Sequence, residues 1–390
     1  MSKALSTDIL IVGGGIAGLW LAARLKAAGY SALLVETGSL GGGQSLKSQG
    51  IIHGGIKYAL QGALTGASQA IADMPRRWRA CLDGVGELDL QPVRVLSDAH
   101  YLWSPGSLAG NLSSFFASKA VRGRVEAVHG SALPLPLQHP RFKGRVYRLS
   151  ELVLDVPSLI AHLASLNQGR LLKASSLQPL LENNQLVGLQ ADDYAIVAQR
   201  IVLCAGAGNS ALLAQLGVRE PEQQLRPLHM VLAKGAALQP LYAHCMGSGS
   251  KPRITVTSHP ASDGQWVWYL GGDLAEAKGV ARNEQEQIKA AARELKSLLP
   301  WLDQPALIWA TLRVDRAEPA QSSRARPDNA FLHEQGRLMV AWPTKLALSP
   351  DLADRVLTQL QRDGVTPGAH QPLPELPVPE LGQTPWQRMS

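Results

Sequence analysis

Apolar positions follow two rhythms along the chain. The stretch "DILIV" (Asp8–Val12) is a continuous apolar run, as expected of a short strand buried on both faces. "IAGLWLAARLKAAGY" then shifts to a helical period, and Gly29 is placed to end that helix. "SALLVE" (Ser31–Glu36) reads as a second strand. "LVLDVPSLIAHLASL" (Leu152–Leu166) carries a proline at a helix start and apolar residues at 156, 159, 160, 163 and 166. "GRLLKASSLQPL" and "QLVGLQADDYAIVAQRIVLCAGAGN" predict successive strands. Alternation on both sides of Asp263–Gly264 predicts a hairpin over Arg253–Asp273. "GRLMVAWPTKLALSPDLADRVLTQL" (Gly336–Leu360) predicts a strand, a loop and a helix with Ser349 as N-cap and Pro350 at its first position. Residues 86–149 and 219–325 hold more strand and less helix. From Thr366 the chain is rich in proline and is expected to run extended over the surface. There is no internal repeat.

At 390 residues the chain has room for two domains, interleaved or in tandem. Its formal charge is +7 and its pI about 9.4. The excess sits in short clusters, "PRRWR" (Pro75–Arg79) and "RFKGRVYR" (Arg141–Arg148), which fit solvated faces first, an anionic substrate or surface second, and nucleic acid last. Cys81, Cys204 and Cys245 are widely spaced and form no metal pattern, which fits a reducing cytoplasm. The uncharged run Ile9–Ala23 is interrupted by glycines, adjoins Asp8, and is too short for a membrane span. The expected compartment is the cytoplasm.

The strongest chemistry lies in the first thirty-six residues. Gly13, Gly15 and Gly18 have G-x-G-x-x-G spacing between a strand and a helix, and Glu36 closes the next strand. Gly13 permits the tight turn, Gly15 lets backbone meet a pyrophosphate at the helix N-terminus, and Gly18 lets helix pack on strand. Glu36 suits ribose hydroxyls, so FAD or NAD is favoured over a 2′-phosphorylated cofactor. After Glu36 the chain does not return to a helix. The glycine- and serine-rich "GSLGGGQSLKSQG" suits a long cofactor whose second phosphate and flavin need lining.

The stretch "GGGQSLKSQGIIHGGIKY" resembles the flavin-proximal loop of the D-amino-acid oxidase superfamily of FAD enzymes, and is most similar to the "S-x-x-I-H-G-G-x-(R/K)-Y" element of glycerol-3-phosphate dehydrogenases and L-2-hydroxyglutarate oxidases. The resemblance implies an α/β fold: an FAD-binding Rossmann-like domain of glutathione-reductase type (1–85, 150–218 and 326–365) interleaved with a substrate domain on a large mixed sheet (86–149 and 219–325), then a tail from 366 to 390. It implies cofactor contacts from Gly13, Gly15, Ile16, Ala17, Gly18, Glu36 and Thr37, and from Gly43, Gln44, Ser45, Ser48, Gln49 and Gly50. Leu177 would reach the adenine by its backbone. Ala205 and Gly206 fall on the family's second small-residue motif. Pro343, Thr344, Lys345 and Leu346 fall on the loop at the flavin pyrimidine edge, where Trp342, Pro343 and Thr344 depart from the family's glycines. Arg313 falls on the arginine of "w-a-G-x-R-P", with Thr311 and Val314 replacing the glycine and proline.

A flavin oxidoreductase accumulates negative charge at flavin N1 and the C2 carbonyl, which a helix N-terminus and a cation stabilise. The helix near Ser349 and Lys345 are the expected sources. Arg313 is the expected anchor for a carboxylate or phosphate, with Arg316, Arg324 and Arg326 as rivals. Lys57 stands where the glycerol-phosphate enzymes have an arginine. An alcohol substrate needs a base, for which His53, His229, His244 and His259 are the options. Three roles fit His53: packing against the ring, a covalent bond to it, or a core histidine bonded to backbone. The first is favoured. The expected activity is hydride transfer from a small anionic amine or alcohol to FAD, with O2 or a quinone as acceptor. The alternatives are an enzyme acting on a modified tRNA base, a flavoprotein whose catalysis has lapsed, and a quinone-linked enzyme docked on a membrane surface. No metal is expected, no nucleic acid on the first reading, and a monomer is the default.

Overall fold

The computed structural model describes residues 3–54, 66–105, 125–247, 251–321, 329–370 and 372–389. Its first sheet has eight strands: β1 (Lys3–Val12), β2 (Ala32–Glu36), β9 (Leu171–Lys173), β10 (Leu177–Glu182), β11 (Gln185–Ala191), β12 (Tyr194–Leu203), β18 (Phe331–Gln335) and β19 (Leu338–Trp342). The order is β10–β11–β12–β1–β2–β9, and β19, paired with β18, lies parallel to the second half of β12. Strand β1 runs parallel to both neighbours, with Ile9–Val12 buried throughout. A parallel sheet needs cover on both faces, and this explains the continuous apolar run. One face packs against α1 (Ile16–Ala27), α3 (Val156–Leu166) and α7 (Ser349–Arg362), with Trp20, Ile160 and Val356 in the shared core. Trp78 joins them from α2 (Gly66–Leu82). The other face buries Leu10, Leu33, Ile196 and Trp342 with Leu213 of α4 (Asn209–Gln215).

The second sheet also has eight strands: β5 (His100–Ser104), β6 (Val125–Val128), β7 (Arg145–Leu149), β13 (Gln223–Gly235), β14 (Ala243–Met246), β15 (Pro252–Pro260), β16 (Trp266–Gly271) and β17 (Ile308–Pro319). They lie in the order β17–β13–β16–β15–β14–β5–β7–β6, antiparallel except for β14 beside β5. The hairpin β15–β16 turns at Asp263–Gly264, with Gly264 at φ 79°. Val231, Trp268 and Leu270 on the outer face pack against Ala291 and Leu295 of α6 (Glu284–Leu298), whose N-terminus Asn283 and Glu286 close as a capping box. The short α5 (Ala277–Ala281) precedes it. A small three-stranded sheet, β3 (Ile51–Ile52), β8 (Leu152–Leu154) and β4 (Val95–Ser97), joins the segment after the first nucleotide motif to the start of α3.

The helix expected at the proline runs from Val156 to Leu166, and Leu152–Leu154 before it pairs as β8. One expectation is corrected. Ser349 is the first residue of α7 and Leu348 its N-cap; the Ser349 hydroxyl donates back to the Leu346 carbonyl at 2.9 Å. The tail runs extended and mostly exposed, as expected, but it is anchored at a few buried points. It bridges Leu381 to Leu40, and it buries Leu376, Thr384 and Trp386. Among the described residues, no helix is long and apolar enough to cross a membrane.

Candidate functional site

The site begins at the turn between β1 and α1. Gly13 has φ 113°, and a Cβ there would come within 2.7 Å of the Cys204 and Ala205 backbone. A Cβ on Gly18 would lie 2.0 Å from the Gly13 carbonyl oxygen. These two glycines are therefore required by the protein's own packing. Gly15 differs: a Cβ there would meet only the Ser45 hydroxyl, at 3.2 Å. Gly15 caps α1 with no side-chain hydrogen bond, and the first turn holds no acidic residue. Ser45 is held close because its Oγ accepts from the Ile16 N–H at 2.9 Å. Around Gly43 there is open space, and Gly206 faces only Gln44, at 3.4 Å. The α1 N-terminus thus looks onto a cradle edged by Gly15, Gly43, Gln44, Ser45 and Gly206. The open space at Gly43 and the sign of the helix dipole suit a pyrophosphate. The Glu36 carboxylate accepts from the Gly14 and Gly38 N–H groups at 2.5 Å each. Thr37 lends its carbonyl to Lys173. The Leu177 carbonyl, expected near the adenine, accepts from the Gln215 amide at 2.7 Å.

From this cradle the segment Ser45–Gly54 crosses the inner face of the second sheet. Tyr269 donates its hydroxyl to the Lys47 carbonyl at 3.0 Å, and the Gln49 amide donates to the Tyr269 carbonyl at 3.0 Å. Gly271 leaves room for Gln49 and Met230, since a Cβ there would lie 3.0 Å from each. Ser48 and Gly50 belong to this crossing, and Gly50 has φ 70° with the Leu154 carbonyl against it. The segment ends at His53, whose Nδ1 lies 3.4 Å from a carboxylate oxygen of Glu151. The other Glu151 oxygen accepts from the Gly54 N–H at 3.0 Å. The His53 and His244 rings stack at 6.1 Å between centroids, and His100 lies 4.2 Å from His244. The Thr255 hydroxyl is bonded to His244 Nδ1 at 2.8 Å. Burial works against the charge of Glu151, yet the neighbouring His53 and His100 imidazoles and the Gly54 N–H hold its carboxyl down at about 2. His53, Glu151 and His244 each offer one donor atom, all within 4.8 Å of one another, a grouping able to hold a metal ion.

The remaining residues singled out from the sequence lie in different places. His229 and Arg313 face each other across the β13–β17 ladder, so they share one face. That face is the outer one: His229 Nδ1 is bonded to the Gly279 carbonyl at 3.0 Å, and Arg313 donates to the carbonyls of Val280 and Arg282 at 2.9 and 2.7 Å. Both side chains thus fasten α5 and the turn after it. His259 is on the inner face but is covered, its ring stacked on Trp386 at 3.7 Å. Burial pushes its imidazole down to about 3. Pro343, Thr344, Lys345 and Leu346 form the half-buried turn before α7, with Thr344 at φ 59° and its hydroxyl donating to the Asn329 carbonyl. Ala205 donates its N–H to the Asn209 side chain at 2.8 Å. Lys57, Arg324 and Arg326 lie outside the described residues. Glu151, His100 and Thr255 had not been singled out. No local pattern marks them, since His100 and Thr255 join His244 through strand pairing within the second sheet, and Glu151 arrives beside β8 of the three-stranded sheet. Cys204 and Cys245 are buried, which pushes both thiols up to about 12 and leaves them unreactive.

A glycine-turn nucleotide cradle feeding a segment that crosses a second, mixed sheet is the architecture of a flavoprotein oxidoreductase. The chain belongs to the FAD dependent oxidoreductase family, whose profile matches residues 8–341, and its cofactor is FAD. It is 66% identical over 387 residues to a probable FAD-dependent oxidoreductase of Pseudomonas aeruginosa, covering 99% of each chain. A crystal structure of an FAD dependent oxidoreductase from Pseudomonas aeruginosa superposes with a TM-score of 0.90 at 59% identity, covering 100% of this chain and 99% of that one. Glycine oxidase from Geobacillus kaustophilus shares the fold, with a TM-score of 0.67 at 16% identity over 94% of this chain and 97% of its own.

Proposed function

We propose that this oxidoreductase removes a hydride from a small anionic alcohol or amine, of the hydroxy-acid, amino-acid or polyol-phosphate classes, held between the flavin-lining segment and the inner face of the second sheet. The observation that carries this reading is the crossing of Ser45–Gly54 under that face. Of the imidazoles gathered there, His53 is the one a small molecule beside the segment would meet, while His244 and His100 are buried next to it. FAD, when bound, supplies the hydride acceptor at N5. The protein's part is to orient the substrate, exclude water and remove a proton. Imidazoles suit the proton because they titrate close to neutrality. The half-buried Lys345 turn, leading into the N-terminus of α7, is the support for charge developing on the cofactor.

The test is anaerobic bleaching of the bound flavin by a panel of amino acids, 2-hydroxy acids and polyol phosphates. Bleaching by one class, saturable in its concentration, is the expected result. A flavin that no member reduces, in protein that retains full FAD content, would overturn this reading. Repeating the active member with oxygen and with a soluble quinone then identifies the acceptor.

A further inference from the structure

We propose that His53, Glu151 and His244 form a binding site for a divalent transition-metal ion, of the zinc or manganese class, where the small three-stranded sheet meets the second sheet. Three chain segments supply the donors: the flavin-lining segment, the residue before β8, and β14 of the second sheet. All three donor atoms fall within 4.8 Å of one another, and His53 and Glu151 stand at 3.4 Å. Ligands about 2.0–2.2 Å from a tetrahedral ion sit roughly 3.3–3.6 Å apart, so this pair already has the required separation. The wider pair needs a movement of the order of 1 Å, within reach of an imidazole rotation.

Two further features support the assignment. The donors are oriented as metal ligands are, by partners of their own. Thr255 holds His244 Nδ1, which fixes the orientation of the ring, and the Gly54 N–H holds one Glu151 oxygen, which turns the other toward His53. The carboxylate is also deeply enclosed, with 2% of its side chain exposed, while the His53 side chain is 25% exposed. The open side at His53 gives an ion its path of entry to the enclosed carboxylate. Two imidazoles and a carboxylate, with no thiolate among them, select zinc, manganese, iron(II) or cobalt over copper(I) or calcium. Three protein ligands leave coordination positions free, as in a catalytic rather than a structural site.

The role of the ion rests on the function proposed above. A 2-hydroxy acid would bind through its carboxylate and hydroxyl, with the ion lowering the hydroxyl pKa. With His53 and His244 engaged as ligands, the O–H proton would pass to solvent rather than to these imidazoles, the C–H bond would break as a hydride that bound FAD accepts, and the carbonyl would form. This would place the anion anchor on the inner face, whereas Arg313 is engaged on the outer one.

The test reads metal rather than turnover. The FAD-loaded protein is incubated with Zn(II), Mn(II) or Co(II), desalted, and assayed for metal and FAD by elemental analysis and absorbance. One equivalent of one of these ions per chain is expected in the wild type. It should be lost in His244→Ala and Glu151→Gln with FAD content unchanged, and cobalt should give ligand-field bands that both variants lack. Should these variants fail to fold, Thr255→Val provides an independent reading, with metal affinity expected to fall about 10- to 100-fold. Less than a tenth of an equivalent in the wild type overturns the site, as does a stoichiometry that none of the three substitutions changes. Flavin bleaching is scored separately. Bound metal without bleaching keeps the site and removes the substrate reading; bleaching by a hydroxy acid in metal-free protein keeps the substrate reading and removes the ion's role in it.

Discussion

Two glycines of one motif serve different ends. Gly18 touches the Gly13 carbonyl, so Gly18→Ala forces the turn apart and should destabilise the protein by about 3 kcal/mol, read by urea unfolding. Gly15 faces the space in front of α1, so Gly15→Val should fold with near-wild-type stability yet purify without FAD. Yellow Gly15→Val protein with full FAD content would contradict the cradle. His259 gives a pH signature. Burial holds its folded pKa near 3, below the ordinary value of about 6.5. The native state therefore keeps it neutral, while the unfolded chain takes up a proton. Its contribution is constant above about pH 6.5 and is lost as pH falls, at about 1.4 kcal/mol per unit. Between pH 6.5 and 5 that is about 2 kcal/mol, and His259→Gln should remove that part of the slope in unfolding measured at the two pH values.

At the scale of elements, the β13–β17 ladder separates the two cations picked out from the sequence. Arg313 binds the carbonyls at the end of α5, so Arg313→Met should cost about 1 kcal/mol of stability and leave the flavin spectrum and reduction potential unchanged. Lys345 opens the turn into α7, whose N-terminus carries Asp351 and a proline. Lys345→Met should lower the flavin reduction potential, by an interaction worth on the order of 1–3 kcal/mol. A redox titration of both variants decides between them. A potential shift in Arg313→Met alone would reverse the assignment.

Across the whole molecule, the C-terminal tail ties the two sheets together. It runs past Asp8, which accepts from His370 and the Gly368 N–H, and past Lys173, whose N–H donates to the Pro377 carbonyl. It pairs with Leu40 beside the nucleotide loop and ends under the second sheet, where Lys234 donates to the Met389 carbonyl at 2.7 Å. Trp386 is the anchor, 3% exposed and stacked on His259. Trp386→Ala should lower stability by about 3 kcal/mol and speed FAD loss on dilution, followed by the rise in free flavin fluorescence. If FAD is released no faster, the tail bears on stability alone.

The sequence by itself determined the nucleotide half of the protein. Gly13, Gly15, Gly18 and Glu36 act through backbone geometry and local order, strand to turn to helix to strand, and such order is written in neighbouring residues. The hairpin around Asp263–Gly264 was legible for the same reason. Tertiary structure alone decided which face a strand residue presents and what covers it. Register across β13 and β17 turned His229 and Arg313 outward, since a strand's two faces alternate residue by residue and only the pairing says which is the inner one. The proline-rich composition of the tail gave its extended form but not its burial, which depends on Trp386 meeting His259. His53, His100, Glu151 and His244 are separated along the chain by tens of residues, with Thr255 eleven residues after His244, and no period or spacing links them. They meet because strand pairing aligns His100, His244 and Thr255 in the second sheet and the small β3–β8–β4 sheet packs against it, an arrangement that belongs to the folded molecule.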